Sequence, residues 1–279
     1  MKKSISLILI LCLVFSLVGC SSKNDSNDAN NANNEQKETS SSETIEATES
    51  TILIAAAASL KNTMDEKLIP MFEEKYPNIK VEATYDSSGK LQTQIEEGAE
   101  VDVFMSAAMK QMKALNEKSL ILENSIVELL ENKIVLIAPK ESKIAMSTFE
   151  DVLKAEKIAI GDPESVPAGQ YAKEVFENLK IWDQVSQKAS FGTNVTEVLN
   201  WVAEGSADAG VVYATDATSN DKVVVVKEVP EGSVSKVIYP VGIVKVTKNE
   251  EAAKTFIEFL QSDEALKIYE TYGFTANNK

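Results

Sequence analysis

The sequence of 279 residues contains no histidine and no arginine, so all 28 of its basic residues are lysine. Without histidine, the chain cannot form a Ser-His-Asp or Cys-His catalytic relay, nor an imidazole metal site. Without arginine, no guanidinium group can grip an anion through two parallel hydrogen bonds. If the protein binds an anion, its donors must therefore be backbone amides, hydroxyl groups or lysine side chains.

Cysteine is almost as scarce, and both cysteines, Cys12 and Cys20, lie near the amino terminus. The remaining chain therefore cannot contain an internal disulfide. Lys2 and Lys3 precede an apolar run over residues 5–18. A charged start followed by a short apolar stretch predicts a secretory signal peptide, and the stretch is too short to favour a transmembrane helix.

The end of the apolar run, Leu17-Val18-Gly19-Cys20, resembles the lipobox of bacterial lipoproteins. The resemblance implies that residues 1–19 are a signal peptide and that Cys20 is lipidated, which would anchor the protein to the extracytoplasmic face of the cell membrane. Residues 20–50 are rich in Ser, Asn, Asp, Glu and Thr, and they cannot bury enough apolar surface to fold. We expect this segment to be a disordered tether.

The formal charge of −15 disfavours nucleic acid as a partner, because phosphate backbones attract basic surfaces. An anionic ligand would have to be held locally, against this overall field. The chain is 44% hydrophobic, which is enough for two lobes of ordinary size.

From residue 51 onward, short apolar runs alternate with amphipathic segments, a pattern typical of βαβ units. It predicts an α/β fold built on mostly parallel sheets. Helical stripes of apolar residues begin at Leu60, Tyr171, Val195 and Phe256, and Pro70 should kink or shorten the first of these helices. The predicted strands are 52–57, 79–83, 101–105, 134–137, 157–160, 209–212, 223–226 and 237–244.

Four predicted strand-to-helix junctions carry small or hydroxyl residues, at 55–60, 86–91, 166–169 and 193–197. We expect Ser59 to be a helix N-cap, and Asn194 with Glu197 to have the spacing of a capping box. In an open α/β sheet, ligands bind at the carboxyl ends of strands, where helix amino termini present free amides. Junctions from two lobes could therefore surround one small anion.

Several blocks closely resemble the molybdate-binding proteins of ABC importers, and together they span residues 51–274. The most specific is Gly161-Asp-Pro-Glu-Ser-Val-Pro-Ala-Gly169, whereas Ala-Ala-Ala-Ser-Leu alone would be weak. The other blocks are residues 55–60, 87–99, 102–107, 210–216, 239–242 and 272–274.

The resemblance implies a two-lobed periplasmic-binding-protein fold of type II, each lobe a mostly parallel sheet flanked by helices, with the ligand in the cleft between the lobes. Residues 51–131 plus 240–279 would form the first lobe and residues 132–239 the second. The protein would be a monomer that delivers molybdate or tungstate to an ABC permease, without catalysis and without a cofactor. The ligand contacts implied by the resemblance are Ser59, Ser88, Ala168, Val195 and Tyr213.

A fully deprotonated tetrahedral oxyanion offers only acceptors, so a set of neutral donors suits it, whereas phosphate near neutral pH keeps a proton. Sulfate also offers four acceptors and stays open as the alternative ligand. Asp86, directly before the serine pair, would weaken dianion binding if it faced the ligand. An enzyme using Asp102, Asp162, Asp208 or Asp216 is a further alternative, but each lies in a segment better explained as a turn or strand end.

Overall fold

The computed structural model describes residues 49–230 and 232–277, in which eleven strands form two sheets. The predicted signal peptide, Cys12, Cys20 and nearly all of the predicted tether lie outside these residues. The first strand begins at Ser50, the last residue of the predicted tether, whose amide donates to the Asn78 carbonyl (2.9 Å). The strands are β1 (Ser50–Ala57), β2 (Ile79–Asp86), β3 (Val103–Met105), β4 (Val127–Glu131), β5 (Ile134–Pro139), β6 (Ile158–Gly161), β7 (Ala189–Gly192), β8 (Ala209–Tyr213), β9 (Val223–Glu228), β10 (Ile238–Ile243) and β11 (Thr275–Ala276).

The helices lie between these strands, and the predicted apolar stripes face the core. Leu60, Met64, Leu68 and Phe72 are fully buried, as are Val198 and Val202 in the third stripe. The helices are α1 (Lys61–Thr63), α2 (Ile69–Lys75), α3 (Ser88–Glu96), α4 (Met109–Glu117), α5 (Pro167–Asn178), α6 (Trp182–Ser186), α7 (Val195–Ala203), α8 (Ala214–Thr218), α9 (Glu250–Leu260) and α10 (Asp263–Thr271).

Pro70 was expected to kink or shorten the first helical segment, and it does not shorten it. The chain stays helical from Ala58 to Lys75, with a 3-10 turn at Ala58–Leu60 and a π turn at Met64–Leu68. Proline lacks an amide hydrogen and its ring crowds the preceding turn. The wider π turn falls directly before Pro70, where it relieves this crowding and keeps the apolar stripe on one face.

The first sheet has the strand order β11-β4-β10-β3-β1-β2, and the second has the order β7-β6-β8-β5-β9. The prediction of mostly parallel sheets is wrong in this detail, because both sheets are mixed. Strand β1 is parallel to β2 and β3, and β6 is parallel to β7 and β8. By contrast, β10 is antiparallel to β3 and β4, β11 to β4, and β5 to β8 and β9.

The antiparallel course of β5 and β10 follows from the way the chain passes between the sheets. It leaves the first sheet after β4 and enters the second with β5, and it returns from β9 to β10. In each sheet, the parallel strands finish at the side that carries the strand-to-helix junctions. A strand that arrives from the other lobe enters the sheet from this side. It is therefore antiparallel to the strands that finish there. The junction sides of the two sheets face each other, as the hydrogen bond from the Gly89 amide to the Ser165 carbonyl shows. The lobe boundaries predicted at 131/132 and 239/240 stay a prediction.

Among the described residues, no helix is long and apolar enough to cross a bilayer.

Candidate functional site

Ser59 lies at the carboxyl end of β1, but the prediction that it caps the following helix is wrong. The capping position of the 3-10 turn is Ala57, and Ser59 lies inside the turn without a side-chain capping bond. Its hydroxyl oxygen instead lies 2.9 Å from the hydroxyl oxygen of Tyr239, in β10. Ser59 thus directs its side chain away from its own helix and toward the centre of the molecule.

Ser88 is the first residue of α3 and is fully buried. Its Oγ accepts a hydrogen bond from the Ala107 amide (3.0 Å), so the single hydroxyl hydrogen of Ser88 remains available to another acceptor. The neighbouring Ser87 Oγ is buried as well and has no hydrogen-bond partner within the described chain. A buried hydroxyl without a partner is costly, which indicates that something else satisfies it.

The block Gly161–Gly169 folds into a tight junction between β6 and α5. A Cβ atom added at Gly169 would lie 1.8 Å from the Gly161 carbonyl oxygen, so the first turn of α5 packs directly on the end of β6. Pro167 is the first helical residue, as its fixed φ and missing amide hydrogen favour. Ala168 follows it and is fully buried, and its amide donates no hydrogen bond within the described chain.

Val195 is the first residue of α7 and is buried. The Asn194 side chain caps the helix by accepting from the Glu197 amide (3.0 Å), as predicted. The capping box is only half formed, because Glu197 accepts from the Thr193 amide (2.6 Å) instead of the Asn194 amide. The Val195 amide, like that of Ala168, belongs to a first helical turn and donates no hydrogen bond within the described chain.

Tyr213 ends β8 and is almost fully buried. Its hydroxyl donates to the Ala107 carbonyl (3.3 Å), while the Ala107 amide serves Ser88. Its own amide donates to the Asp216 carboxylate (3.2 Å). Burial raises the pKa of Asp216 to about 7 and that of the Tyr213 phenol well above its ordinary value, so Tyr213 keeps its hydrogen and acts as a donor.

The two sheets approach each other at these junctions. The Gly89 amide of the first lobe donates to the Ser165 carbonyl of the second (2.9 Å), and Gln111 Nε2 donates to Gln170 Oε1 (3.2 Å). Ala107 links Ser88 to Tyr213, as described above. A small cavity of about 70 Å³ lies beside Ser59, lined by residues of both lobes that include Thr196, Thr215 and Asp216.

The structure therefore brings Ser88, Tyr213 and the start of α5 into one region through direct contacts. Ser59 joins this region because Tyr239, its partner, packs against the Tyr213 ring with centroids 5.4 Å apart. Val195 is connected only through its helix: α7 packs against the 3-10 turn that contains Ser59. These contacts indicate how the five predicted positions are arranged but do not test their role in binding.

The lysines near these junctions are already paired with carboxylates. Lys90 lies 3.3 Å from Asp86, Lys61 lies 2.5 Å from Asp65, and Lys173 lies 3.8 Å from Glu177. Asp86 also accepts from the Ser87 amide (2.7 Å), so its charge is shared between a lysine and the backbone. The donors of the region are therefore mainly neutral.

The candidate catalytic carboxylates are committed to holding the backbone. Asp208 accepts from the amides of Glu156 and Lys157 (both 2.9 Å), and Asp162 from that of Glu164 (3.0 Å). Asp102 accepts from the Leu53 amide (2.7 Å). Within the described residues, no three His, Cys, Asp or Glu side chains are grouped to hold a metal ion.

Three side chains of this region received no role in the sequence analysis: Ser87, Asn132 and Tyr239. Ser87 and Tyr239 lie in blocks that carried the family resemblance, but nothing in their spacing distinguished a buried orphan hydroxyl or a partner of Ser59. Asn132 lies in the link between β4 and β5, where a lone asparagine is indistinguishable from a turn residue.

Comparisons with known proteins show the family of the chain. Residues 52–275 match the family model of bacterial extracellular solute-binding proteins. The chain is 45% identical over 226 residues to the putative ABC transporter substrate-binding lipoprotein YvgL of Bacillus subtilis, covering 81% of this chain and 86% of that protein. It is 37% identical over 230 residues to the molybdate-binding protein ModA of Haemophilus influenzae, covering 81% and 90% of the two chains.

A solved structure of the substrate-binding domain of a putative molybdenum ABC transporter from Clostridium difficile superposes with a TM-score of 0.64. It is 42% identical in sequence, and the match covers 82% of this chain and all of that one.

Proposed function

Because the chain belongs to the family of bacterial extracellular solute-binding proteins, we propose that it captures molybdate or tungstate between its lobes and delivers the anion to an ABC permease. The observation that carries this proposal is a set of neutral donors at the junctions of both lobes. The amides of Ala168 and Val195 and the hydroxyl hydrogen of Ser88 serve no acceptor within the described residues. The hydroxyls of Ser59 and Tyr213 lie beside them and contact Tyr239 Oη and the Ala107 carbonyl, so the Tyr213 hydrogen would have to leave that carbonyl to reach a ligand.

The charge of this donor set fits a fully deprotonated dianion. The donors are uncharged, so they spread the ligand charge over several hydrogen bonds without burying an opposing ion, whose desolvation could cancel the Coulomb gain. The buried hydroxyl of Ser87, which has no partner within the described residues, would add a sixth donor. Two relatives or structural neighbours whose names mention molybdate or molybdenum, at 37% and 42% identity, favour molybdate over sulfate.

We expect the two serines to carry much of the binding energy. Replacing Ser59 or Ser88 by alanine removes one hydrogen bond to a charged ligand, which should weaken molybdate binding by about 1.5–3 kcal/mol in each variant. Calorimetric titration of the full-length protein with molybdate, tungstate, sulfate and phosphate measures both the affinity and the ligand preference.

Ser206→Ala is the matched control, because Ser206 is exposed in the turn after α7, at the opposite end of that helix from Val195. It should bind molybdate like the unchanged protein. Tight sulfate binding without molybdate binding would replace molybdate by sulfate in the proposal, and full affinity in both serine variants would refute the assigned site.

The proposal includes a membrane-anchored, monomeric and non-catalytic protein. A lipid on Cys20 would attach it to the cell membrane, and the relative named as a lipoprotein supports this. The carboxylates that could perform acid–base chemistry accept hydrogen bonds from the backbone, which supports a binding role. Partition of the protein into detergent, compared with Cys20→Ser, tests the anchor.

A further inference from the structure

Ser59 can present its hydroxyl to a ligand in two ways, because a hydroxyl group both donates and accepts. In the contact between Ser59 Oγ and Tyr239 Oη (2.9 Å), either oxygen could supply the hydrogen. If Tyr239 donates, the hydrogen of Ser59 is free for the ligand. If Ser59 donates, only a lone pair faces the ligand, and a dianion would be repelled there.

The orientation of Asn132 decides between these arrangements. Its side-chain oxygen accepts from the Lys133 amide (2.8 Å), which fixes the direction of the amide group. The Nδ2 group then donates to Thr215 Oγ1 (2.9 Å) and to Tyr239 Oη (3.3 Å). An amide nitrogen only donates, so the phenolic oxygen of Tyr239 must accept from it.

The hydrogen of Tyr239 consequently serves Ser59. Tyr239 Oη accepts from Asn132 Nδ2 and lies 2.9 Å from Ser59 Oγ. Tyr213 is a further, weaker partner of Tyr239, so the assignment of the hydrogen to Ser59 rests on the geometry of the 2.9 Å contact. Tyr239 is 2% exposed, so a hydroxyl hydrogen without a partner would be costly. Burial also raises the pKa of Tyr239 well above its ordinary value, so the phenol keeps this hydrogen.

We propose that Asn132 and Tyr239 are positioning residues that form a hydrogen-bond relay, Asn132 to Tyr239 to Ser59, which makes Ser59 a donor and selects an oxyanion without a proton. This inference rests on the proposed function, since Ser59 must contact the ligand. Ser88 is also a donor toward the ligand. Its Oγ accepts from the Ala107 amide, which can only donate, so its hydroxyl hydrogen stays free. Both serines then present hydrogen atoms and reject a ligand O–H group.

The relay predicts that removing the Tyr239 hydroxyl weakens molybdate binding by changing the orientation of the Ser59 hydroxyl. Tyr239→Phe keeps the ring, which packs against Tyr213 and Phe274, and removes only the hydroxyl. We expect molybdate affinity to fall by about tenfold, because Ser59 can then turn its lone pair to the ligand. Phosphate, which keeps a proton at neutral pH, should not weaken in parallel, so the ratio of molybdate to phosphate affinity should fall.

A double-mutant cycle separates the relay from a general structural effect. In the Ser59→Ala background, Tyr239→Phe should cause no further loss of molybdate affinity, because the group on which it acts is absent. Tyr269→Phe is the matched control: Tyr269 is also a fully buried tyrosine whose ring packs against Phe274, and its hydroxyl contacts Met64 Sδ (3.6 Å). It should leave the affinity and the ratio unchanged.

The outcomes distinguish the two proposals. Additive losses in a protein that binds molybdate would overturn the relay and leave the proposed function intact. Non-additivity with Tyr213→Phe instead of Ser59→Ala would also overturn it, since the hydrogen of Tyr239 would then serve Tyr213. Absence of any oxyanion binding in the unchanged protein would overturn both. If Tyr239→Phe does not fold, as judged by urea unfolding, Asn132→Ala replaces it, with the same non-additivity expected.

Discussion

Asp216 is a carboxyl group enclosed between the end of β8 and the small cavity beside Ser59. It is 6% exposed, and desolvation by burial raises its pKa to about 7, partly offset by the hydrogen bond from the Tyr213 amide. In the unfolded chain the group has the ordinary value of 3.8. Between these two values the folded protein holds a proton that the unfolded chain releases.

The free energy of unfolding should therefore fall as the pH rises from about 4 to about 7, and the penalty should persist at higher pH. Asp216→Asn removes the ionisation and keeps an acceptor for the Tyr213 amide. We expect this variant to be more stable than the unchanged protein above pH 7, by up to about 4 kcal/mol, since one pKa unit corresponds to about 1.4 kcal/mol. The difference should vanish toward pH 4.

Urea unfolding at several pH values measures this dependence. Asp208→Asn is the control, because Asp208 accepts from two backbone amides just before strand β6 and its loss should give no stabilisation at high pH. An Asp216→Asn variant that is equally destabilised at every pH would indicate that the carboxylate is ionised and stabilising in the folded protein.

At the scale of the elements, the junction of β6 with α5 depends on the absence of a side chain at Gly169. A Cβ atom there would lie 1.8 Å from a backbone oxygen, which cannot move aside as a flexible side chain would. Gly169→Ala should therefore push α5 away from β6 and move the Ala168 amide. We expect a loss of about 3 kcal/mol in stability, together with weaker molybdate binding.

Glu177→Ala, on an exposed position of the same helix, is the control and should change neither quantity by more than about 0.5 kcal/mol. Urea unfolding and calorimetric titration of both variants give the comparison. Unchanged stability in Gly169→Ala would mean that the junction is more plastic than the contact implies.

The alternation of apolar runs with amphipathic segments was enough to predict most strands, because central strands such as β5, β6 and β8 are buried on both faces and read as short hydrophobic runs. Strands β4, β7 and β11 were missed. In β7, Ser190 and Phe191 are exposed, which removes that pattern, and β11 has only two residues. Strand direction was not predictable either, since β5 and β10 resemble the parallel strands in composition. Their antiparallel course depends on where the chain crosses between the lobes, which involves residues far apart in the sequence.

For the candidate site, as for the strands, local features were predictable from the sequence and long-range contacts were not. The helix starts at Pro167 and Val195 follow from local chemistry, since proline and a capping asparagine act within one turn. The partner of Ser59 was not predictable, because Tyr239 is 180 residues away and local rules favoured an N-cap. Long-range hydrogen bonds of buried hydroxyls appear only when the tertiary structure is known.

At the scale of the whole molecule, the formal charge of −15 opposes the approach of any dianion. The lysines near the junctions do not compensate, because Lys61, Lys90 and Lys173 are each paired with a carboxylate. Association therefore differs from the usual case, in which a basic cleft steers an anion and salt slows binding.

Added salt should instead speed up association. The Debye length shortens from about 30 Å at 0.01 M to about 8 Å at 0.15 M ionic strength, which screens the repulsive field. We expect the association rate constant for molybdate to rise by about threefold or more over this range, while the dissociation rate constant, set by short hydrogen bonds within the closed cleft, changes little. Stopped-flow measurement of tryptophan fluorescence, from Trp182 and Trp201, can follow both constants. An association rate constant that falls with salt would mean that unpaired positive charge near the cleft outweighs the overall field, which would contradict a site built from neutral donors.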